Sequence, residues 1–125
     1  MRYFHIWFQT KFKKYMLIDM IDDKIHQLFK QIAEEKGIQL IAGGSLPDHA
    51  HLLIGLENHQ ALSWAVMMLK GISSRRIVQE FKMLKQDFRT NNFWARKYGA
   101  KSIAVEGLQT TANYIRNQKK DLHVV

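Results

Sequence analysis

Apolar positions in the first part of the chain follow two different periods. Between Tyr3 and Thr10 they occupy every second residue, at Phe4, Ile6 and Phe8, which predicts a strand buried on at least one face. From Ile21 to Ile32 they recur at three- and four-residue spacing, which predicts an amphipathic helix of about four to five turns. The chain is therefore expected to begin with a strand followed by a helix.

Further periodic segments follow along the rest of the chain. Two short apolar runs are separated by glycines, a serine and the only proline, which indicates two strands joined by a turn. The predicted elements are a strand at Tyr3–Thr10, a helix between Asp19 and Gly37, strands at Ile38–Ala42 and Ala50–Gly55, a helix from about Ala61 to Phe81, a strand within Phe93–Val105, and a helix from about Leu108 to Lys120.

The order of these elements is β-α-β-β-α-β with one extra helix at the end. That order is typical of the ferredoxin-like (RRM-like) fold of the α+β class, a split β-α-β sandwich. We therefore expect a four-stranded antiparallel sheet with two helices on one face. The other face would remain open to a ligand.

The composition fits one domain covering residues 1–125. A chain of 125 residues that is 46% hydrophobic can bury one core but is too short for two ordinary domains. It contains no cysteine, which excludes disulfides and thiolate metal sites. No apolar run is long enough for a membrane span, and no signal peptide is recognisable, so a cytoplasmic protein without a membrane partner is expected.

The positive charge is concentrated in the second part of the chain. Residues 1–69 contain seven Lys or Arg and seven Asp or Glu, whereas residues 70–125 contain twelve and four, which accounts for the net charge of +8. Aromatic residues such as Trp94 and Tyr98 lie among these cations. Because cations bind phosphates and aromatic rings stack on bases, a nucleic acid partner is favoured.

Two histidines stand side by side in the third predicted strand. Side chains two residues apart on a strand point to the same face, so His49 and His51 project together while Ala50, Leu52 and Ile54 face the core. Two imidazoles in this arrangement can bind one divalent ion. By itself the pattern leaves a second interpretation open, namely surface or partly buried histidines with hydrogen-bond partners.

The last predicted helix carries a second pair of polar residues. Tyr114 and Gln118 are four residues apart and share one helix face, with Ile115 directed to the core. For this helix alone, an exposed tyrosine and glutamine of no special function is the simpler interpretation.

Taken together, these segments resemble a known family. PDHAHLLIG is similar to the His-hydrophobic-His signature of HUH endonucleases, and YIRNQ to the Tyr-x-x-x-Gln of the single-tyrosine transposases of small prokaryotic insertion sequences. LKGISSRRIVQEF and NNFWARKYGAKSIAVEG resemble the same family in the same order, so the similarity spans nearly the whole chain. Two features depart from it: the sequence around Lys97–Ala100, and the chain's end seven residues after Gln118.

The resemblance implies a function and an active site. His49, His51 and Gln118 would hold a divalent cation, Mg²⁺ or Mn²⁺, and Tyr114 would be the nucleophile. Tyr114 would cleave single-stranded DNA, leaving a 3′-hydroxyl and a 5′-phosphotyrosine that a 3′-hydroxyl can later attack. The family also implies DNA hairpins at the ends of the mobile element and a homodimer.

Charge and position give expectations for further residues. Asp48 is expected to face away from the histidines if it belongs to the strand. His5 could approach them from the first strand, although a packed or surface histidine is the expected interpretation. Seven side chains are candidates for DNA contact, although for one of the two adjacent arginines a solvated helix face is the simpler interpretation: Lys70, Ser74, Arg75, Arg76, Arg96, Lys97 and Lys101.

Two further functions remain as alternatives. One is a catalytically silent module of the same fold that binds single-stranded nucleic acid, although such a module has no need of the intact His49, His51, Tyr114 and Gln118. The other is an RNA-binding ferredoxin-like domain, which the sequence disfavours because HAHLLI replaces an aromatic-rich third strand.

Overall fold

The computed structural model describes residues 1–84 and 92–118. One antiparallel sheet contains four strands in the order β2-β3-β1-β4, which confirms the predicted fold class. The strands are β1 (Arg2–Thr10), β2 (Gln39–Leu46), β3 (His49–Leu56) and β4 (Trp94–Ile103), and the helices are α1 (Asp19–Lys36), α2 (Leu62–Glu80) and α3 (Leu108–Arg116).

The main core lies between one face of the sheet and the helices α1 and α2. Ile6 and Phe8 of β1 pack there with Leu52 and Ile54 of β3, as the alternation of apolar residues predicts. The chain leaves α1 at Gly37, whose φ of 68° is a left-handed conformation that glycine adopts without strain. The sheet therefore turns its apolar positions to the helices and its histidines to the opposite face.

Helix α3 covers part of that opposite face. Ala112 and Ile115 pack on Ala42 and Leu53 in a second, smaller core. A Cβ atom at Gly44 would overlap the carbonyl oxygen of Ile115, so the absence of a side chain at Gly44 allows the end of α3 to lie directly on β2. The predicted open face is thus covered in part, over β2 and at Leu53 of β3.

Several boundaries differ from the predictions. β2 continues through Gly43 and Gly44 to Leu46, because both glycines pair with β3 and only Pro47 and Asp48 form the turn. β4 is continuous through Lys97–Ala100, with one register shift opposite Phe8 and Thr10 of β1. α3 ends at Arg116, and the predicted extension to Lys120 lies outside the described residues.

No helix in residues 1–84 or 92–118 has the length and apolar character needed to cross a membrane.

Candidate active site

Three histidines form a cluster on the open face of the two central strands. His49 and His51 of β3 have ring centroids 4.8 Å apart, which confirms the predicted side-by-side arrangement. His5 of β1 joins them, with its Nε2 2.8 Å from Nδ1 of His51. Trp7, which pairs with His51 across the strands, stacks on its ring at a centroid distance of 6.2 Å.

Asp48 also belongs to the cluster. It lies in the turn before β3, and its Oδ1 is 2.6 Å from Nδ1 of His49. The expectation that Asp48 faces away assumed a strand conformation, and a turn residue is not bound by that alternation. The expectation that His5 is merely packed or exposed was also incomplete, because antiparallel pairing of β1 with β3 brings its ring to His51.

Helix α3 brings the tyrosine to the same cluster of the same chain. The ring centroid of Tyr114 lies 6.3 Å from that of His5 and 6.4 Å from that of His51. The Tyr114 side chain is 55% exposed, so a bound strand could reach its hydroxyl. Nη2 of Arg116 donates to the carbonyl oxygen of Ile41 and ties the end of α3 to β2.

Two of the buried side-chain atoms that lack a hydrogen-bond partner in the described residues belong to the predicted metal ligands. They are Nε2 of His51 and Oε1 of Gln118, and each belongs to a buried residue. A buried acceptor without a partner is costly, and a bound ion would remove that cost. An imidazole nitrogen and an amide oxygen are also suitable ligands for a divalent cation, so the residues fit a metal.

The metal would need a mixed set of ligands. Within the two described segments, no group of three or more His, Cys, Asp or Glu side chains is arranged to hold an ion. Asp48 and His5 bond to the histidines themselves, so a third protein ligand would have to be of another type, such as the Gln118 amide. This set leaves coordination positions for phosphate oxygens, which suits a catalytic site better than a closed structural one.

The local electrostatics keep the rings of His5 and His51 neutral. Burial lowers the pKa of His51 to about 4, helped by the positive charges that His49 and His5 would carry if protonated. The pKa of His5 is lowered by burial and then by the nearby ammonium of Lys101. At neutral pH these two rings therefore retain unprotonated nitrogens, as metal binding requires.

One of the predicted DNA contacts lies beside this cluster. Lys101 of β4 pairs with His5 across the strands and is exposed on the same face. Next to it, Gly99 lies against the indole of Trp7, because a Cβ atom at Gly99 would overlap that ring.

A second group of predicted contacts lies away from the histidines, where α2 meets the start of β4. Lys70, Ser74 and Arg96 line a cavity of about 520 Å³ there, together with other residues that include Lys11. The half-buried ammonium of Lys70 donates to the carbonyl oxygens of Ala95 and Arg96, and burial lowers its pKa.

Ser74 was predicted on the polar side of α2, but the structure buries it. Its hydroxyl oxygen accepts a hydrogen bond from the backbone N–H of Phe93, with a distance of 2.6 Å. Arg76 forms a two-bond ion pair with Glu35 of α1, whereas Arg75, Arg96 and Lys97 are exposed. The seven candidates are therefore spread over more than one surface, and their contacts with DNA remain predictions.

Comparison with known proteins gives the family of the chain. The family model described as "Transposase IS200 like" matches residues 2–118. The chain belongs to the IS200-like transposase family. Transposases cut and rejoin DNA, so this family member is an enzyme of that class.

Individual relatives agree with this assignment. The IS200-like chain is 27% identical to the ISDra2 transposase TnpA of Deinococcus radiodurans over 115 residues, which is 92% of this chain and 82% of that protein. A crystal structure described as a transposase of Deinococcus radiodurans matches with a TM-score of 0.77 and 29% identity, covering 94% of this chain and 92% of that one.

A further solved structure shows the same fold at greater distance. It is that of a REP-associated tyrosine transposase bound to a REP hairpin, and it matches with a TM-score of 0.63 at 13% identity, covering 91% of this IS200-like transposase and 64% of that chain.

Proposed function

We propose that this IS200-like transposase cleaves and rejoins single-stranded DNA through a covalent intermediate on Tyr114, at a divalent metal site formed by His49, His51 and Gln118. The observation that carries the proposal is the approach of an exposed tyrosine to the paired histidines, in a structure where two of the proposed ligand atoms are buried without a hydrogen-bond partner. The Tyr114 ring lies 6.4 Å from that of His51, whose Nε2 is one of those atoms. The other is Oε1 of Gln118.

In the proposed reaction the phenolic oxygen of Tyr114 attacks the scissile phosphorus. The tyrosine loses its proton, a new ester joins its oxygen to the 5′-phosphate, and the bond to the 3′-oxygen breaks. The leaving 3′-oxygen takes up a proton and becomes a hydroxyl. Attack by a 3′-hydroxyl on the phosphotyrosine reverses these steps, so DNA is rejoined without an external energy source.

A tyrosine needs assistance for this step, because a free phenol has a pKa of about 10. A divalent cation, when bound, would draw negative charge from the phosphate oxygens and so favour the attack. The chain itself positions the nucleophile, because the packing of Ile115 against β2 holds the neighbouring Tyr114 over the histidines. The exposed ammonium of Lys101 is placed to bind a neighbouring phosphate of the strand.

The proposed substrate is single-stranded DNA that carries hairpins at the ends of the mobile element. The relative bound to a REP hairpin shares this fold and supports a hairpin ligand. The proposed assembly is a homodimer. The outer edges of β2 and β4 are unpaired within the described sheet, and a second copy could cover one of them.

The experiment is covalent trapping. Purified protein is mixed separately with each strand of the DNA that flanks its own gene, in Mn²⁺ or in EDTA, and run on a denaturing gel. We expect an adduct with one single strand, absent in EDTA and absent with Tyr114→Phe, which removes only the hydroxyl. Binding of the strands without any adduct would instead favour the catalytically silent module, and an adduct with Tyr114→Phe would contradict the role of Tyr114.

A further inference from the structure

We propose that His5 is a positioning residue that accepts a hydrogen bond from Nδ1 of His51 and thereby leaves Nε2 of His51 unprotonated and directed at the metal site. The inference rests on the proposed function, because it concerns how the chain prepares that site. Neither the family match nor the relatives assign a role to His5. Three contacts and two atoms without partners support it.

The first contact allows only two arrangements of a proton. Nε2 of His5 and Nδ1 of His51 are 2.8 Å apart, so one hydrogen lies between them. Either Nδ1 of His51 donates to His5, or Nε2 of His5 donates to His51. In a neutral His51 the choice decides which nitrogen of that ring keeps its lone pair.

The surroundings of His51 favour the first arrangement. If His5 were the donor, a neutral His51 would carry its proton on Nε2, which is buried and has no acceptor. A buried donor without a partner carries a desolvation cost, and a bound cation cannot relieve it as it can for an unprotonated nitrogen. Gln118 does not relieve this cost, because its own Oε1 is buried without a partner. If His51 is the donor, the lone pair on Nε2 is available to a cation, and the same cation can satisfy Gln118.

His49 is held in the same way by a different group. The carboxylate of Asp48 lies 2.6 Å from Nδ1 of His49 and can only accept when ionised, so Nδ1 must be the donor. Both histidines therefore have Nδ1 engaged and Nε2 left for a ligand. Histidines that bind metals usually donate their other N–H to such a partner, and loss of that partner typically weakens metal binding about 10- to 100-fold.

The third contact fixes the ring of His5 itself. His5 lies against Trp7, with ring centroids 5.1 Å apart, and its strand neighbours are the central strand β3 and the edge strand β4. A side chain on a central strand is a rigid support, whereas an exposed loop residue would not hold the His51 ring at a fixed angle.

The test compares His5→Gln with His5→Leu. The glutamine carbonyl can still accept from Nδ1 of His51, whereas leucine has a similar size and no acceptor. His59→Leu is the matched control, since His59 is exposed and lies beyond the end of β3, eight residues after His51. Two readouts are used: the ¹⁵N chemical shifts of the His51 ring in metal-free protein, which distinguish the protonated nitrogen, and the affinity for Mn²⁺ alone by calorimetry.

We expect wild type and His5→Gln to carry the His51 proton on Nδ1 and to bind Mn²⁺ within about threefold of each other. His5→Leu should lose this tautomer preference and bind Mn²⁺ about 10- to 100-fold more weakly, while His59→Leu behaves as wild type. A wild-type His51 protonated on Nε2, or an unchanged Mn²⁺ affinity in His5→Leu, would overturn the role of His5.

The outcome also separates this inference from the proposed function. A wild-type chain that binds no Mn²⁺ contradicts the metal site itself, whatever the tautomer. If His5→Leu fails to fold, the wild-type and His5→Gln spectra still decide the matter, because a proton on Nε2 of His51 in either protein would contradict the proposal.

Discussion

The close approach of α3 to β2 at Gly44 gives the sharpest structural prediction. In Gly44→Ala the new methyl group would overlap the carbonyl oxygen of Ile115 and lie 3.0 Å from its carbonyl carbon. Carbon atoms in contact are normally about 3.5–4.0 Å apart. The end of α3 must therefore move away from the sheet by about 0.5–1 Å, because the opposing atoms are backbone and cannot rotate aside.

This displacement has two expected consequences. Overpacking of this kind destabilises a fold by about 1–3 kcal/mol. Tyr114 and Gln118 flank Ile115 along the chain, so both would shift relative to the histidines. A misplacement of about 1 Å at a reacting group can cost about 10²-fold in rate. We therefore expect Gly44→Ala to slow adduct formation by about one to two orders of magnitude.

The matched control is Gly43→Ala, one residue earlier on the same strand and facing the other side. Its Cβ would lie 3.2 Å from Cδ2 of Leu52 and 3.4 Å from Nδ1 of His26, which are ends of side chains that can adjust. Both variants restrict the unfolded chain equally, so that effect cancels in the comparison. Urea unfolding gives the stability difference, and the initial rate of adduct formation at saturating DNA gives the catalytic one.

Equal rates in Gly44→Ala and Gly43→Ala would refute the claim that the docking of α3 on β2 positions the tyrosine. A lower stability without a lower rate would place Gly44 in the fold but not in catalysis.

Three further predictions follow from particular contacts. Ser74→Ala should lower stability by about 1–3 kcal/mol in urea unfolding, because it removes the acceptor of the Phe93 N–H, and should leave the salt dependence of DNA binding unchanged. Lys101→Ala should weaken single-strand binding and reduce the slope of log affinity against log salt by about 0.7. Arg76→Ala should change the slope less, because Arg76 is already ion-paired with Glu35. Equal slopes in the two variants would contradict the placement of Lys101 at the DNA. In EDTA, the free energy of unfolding should be highest above pH 6.5 and fall as the pH drops towards 4, because His51 binds a proton more readily in the unfolded chain than in the folded one, where its pKa is about 4. After allowance for solvent screening, the loss amounts to about 1–2 kcal/mol. An equal acid sensitivity in His51→Asn would contradict this prediction.

Much of the fold could be predicted because its period signals are strong. The alternation in β1 and β3 and the helical spacing in α1 each arise from one buried face, and the burial of Ile6, Phe8, Leu52 and Ile54 follows them. The limits of β2 were less predictable. Glycines usually end strands, but Gly44 is retained inside one because a helix backbone lies on it, and that packing partner is more than 60 residues away in the sequence.

The site was predictable where it depends on one element. His49 and His51 share a face by the geometry of any strand, and the structure brings Tyr114 to that face. The contacts of His5 and Asp48 were judged wrongly, because they depend on strand register and on where a turn ends. One signal in the sequence could have indicated the role of His5. It alternates with the apolar residues of β1, as Trp7 does, and therefore lies on the face away from the core.

Burial of polar residues was hardest to anticipate. Ser74 was expected on the polar side of α2, yet Ser73 and Ser74 are both buried against the start of β4. Ser73 accepts a hydrogen bond from the indole N–H of Trp94, and Ser74 accepts one from the backbone N–H of Phe93. A hydroxyl at such a position satisfies backbone and indole donors that an apolar side chain would leave unpaired.

The most direct test of the central claim is the identity of the residue that carries DNA. The trapped adduct would be digested with nuclease and trypsin and analysed by mass spectrometry. Cleavage after Lys101 and Arg116 releases the peptide SIAVEGLQTTANYIR, in which Tyr114 is the only tyrosine. We predict a 5′-nucleotide on this peptide, attached at Tyr114. A nucleotide on the neighbouring peptide YGAK, which contains Tyr98, or on any other residue would contradict the proposed mechanism.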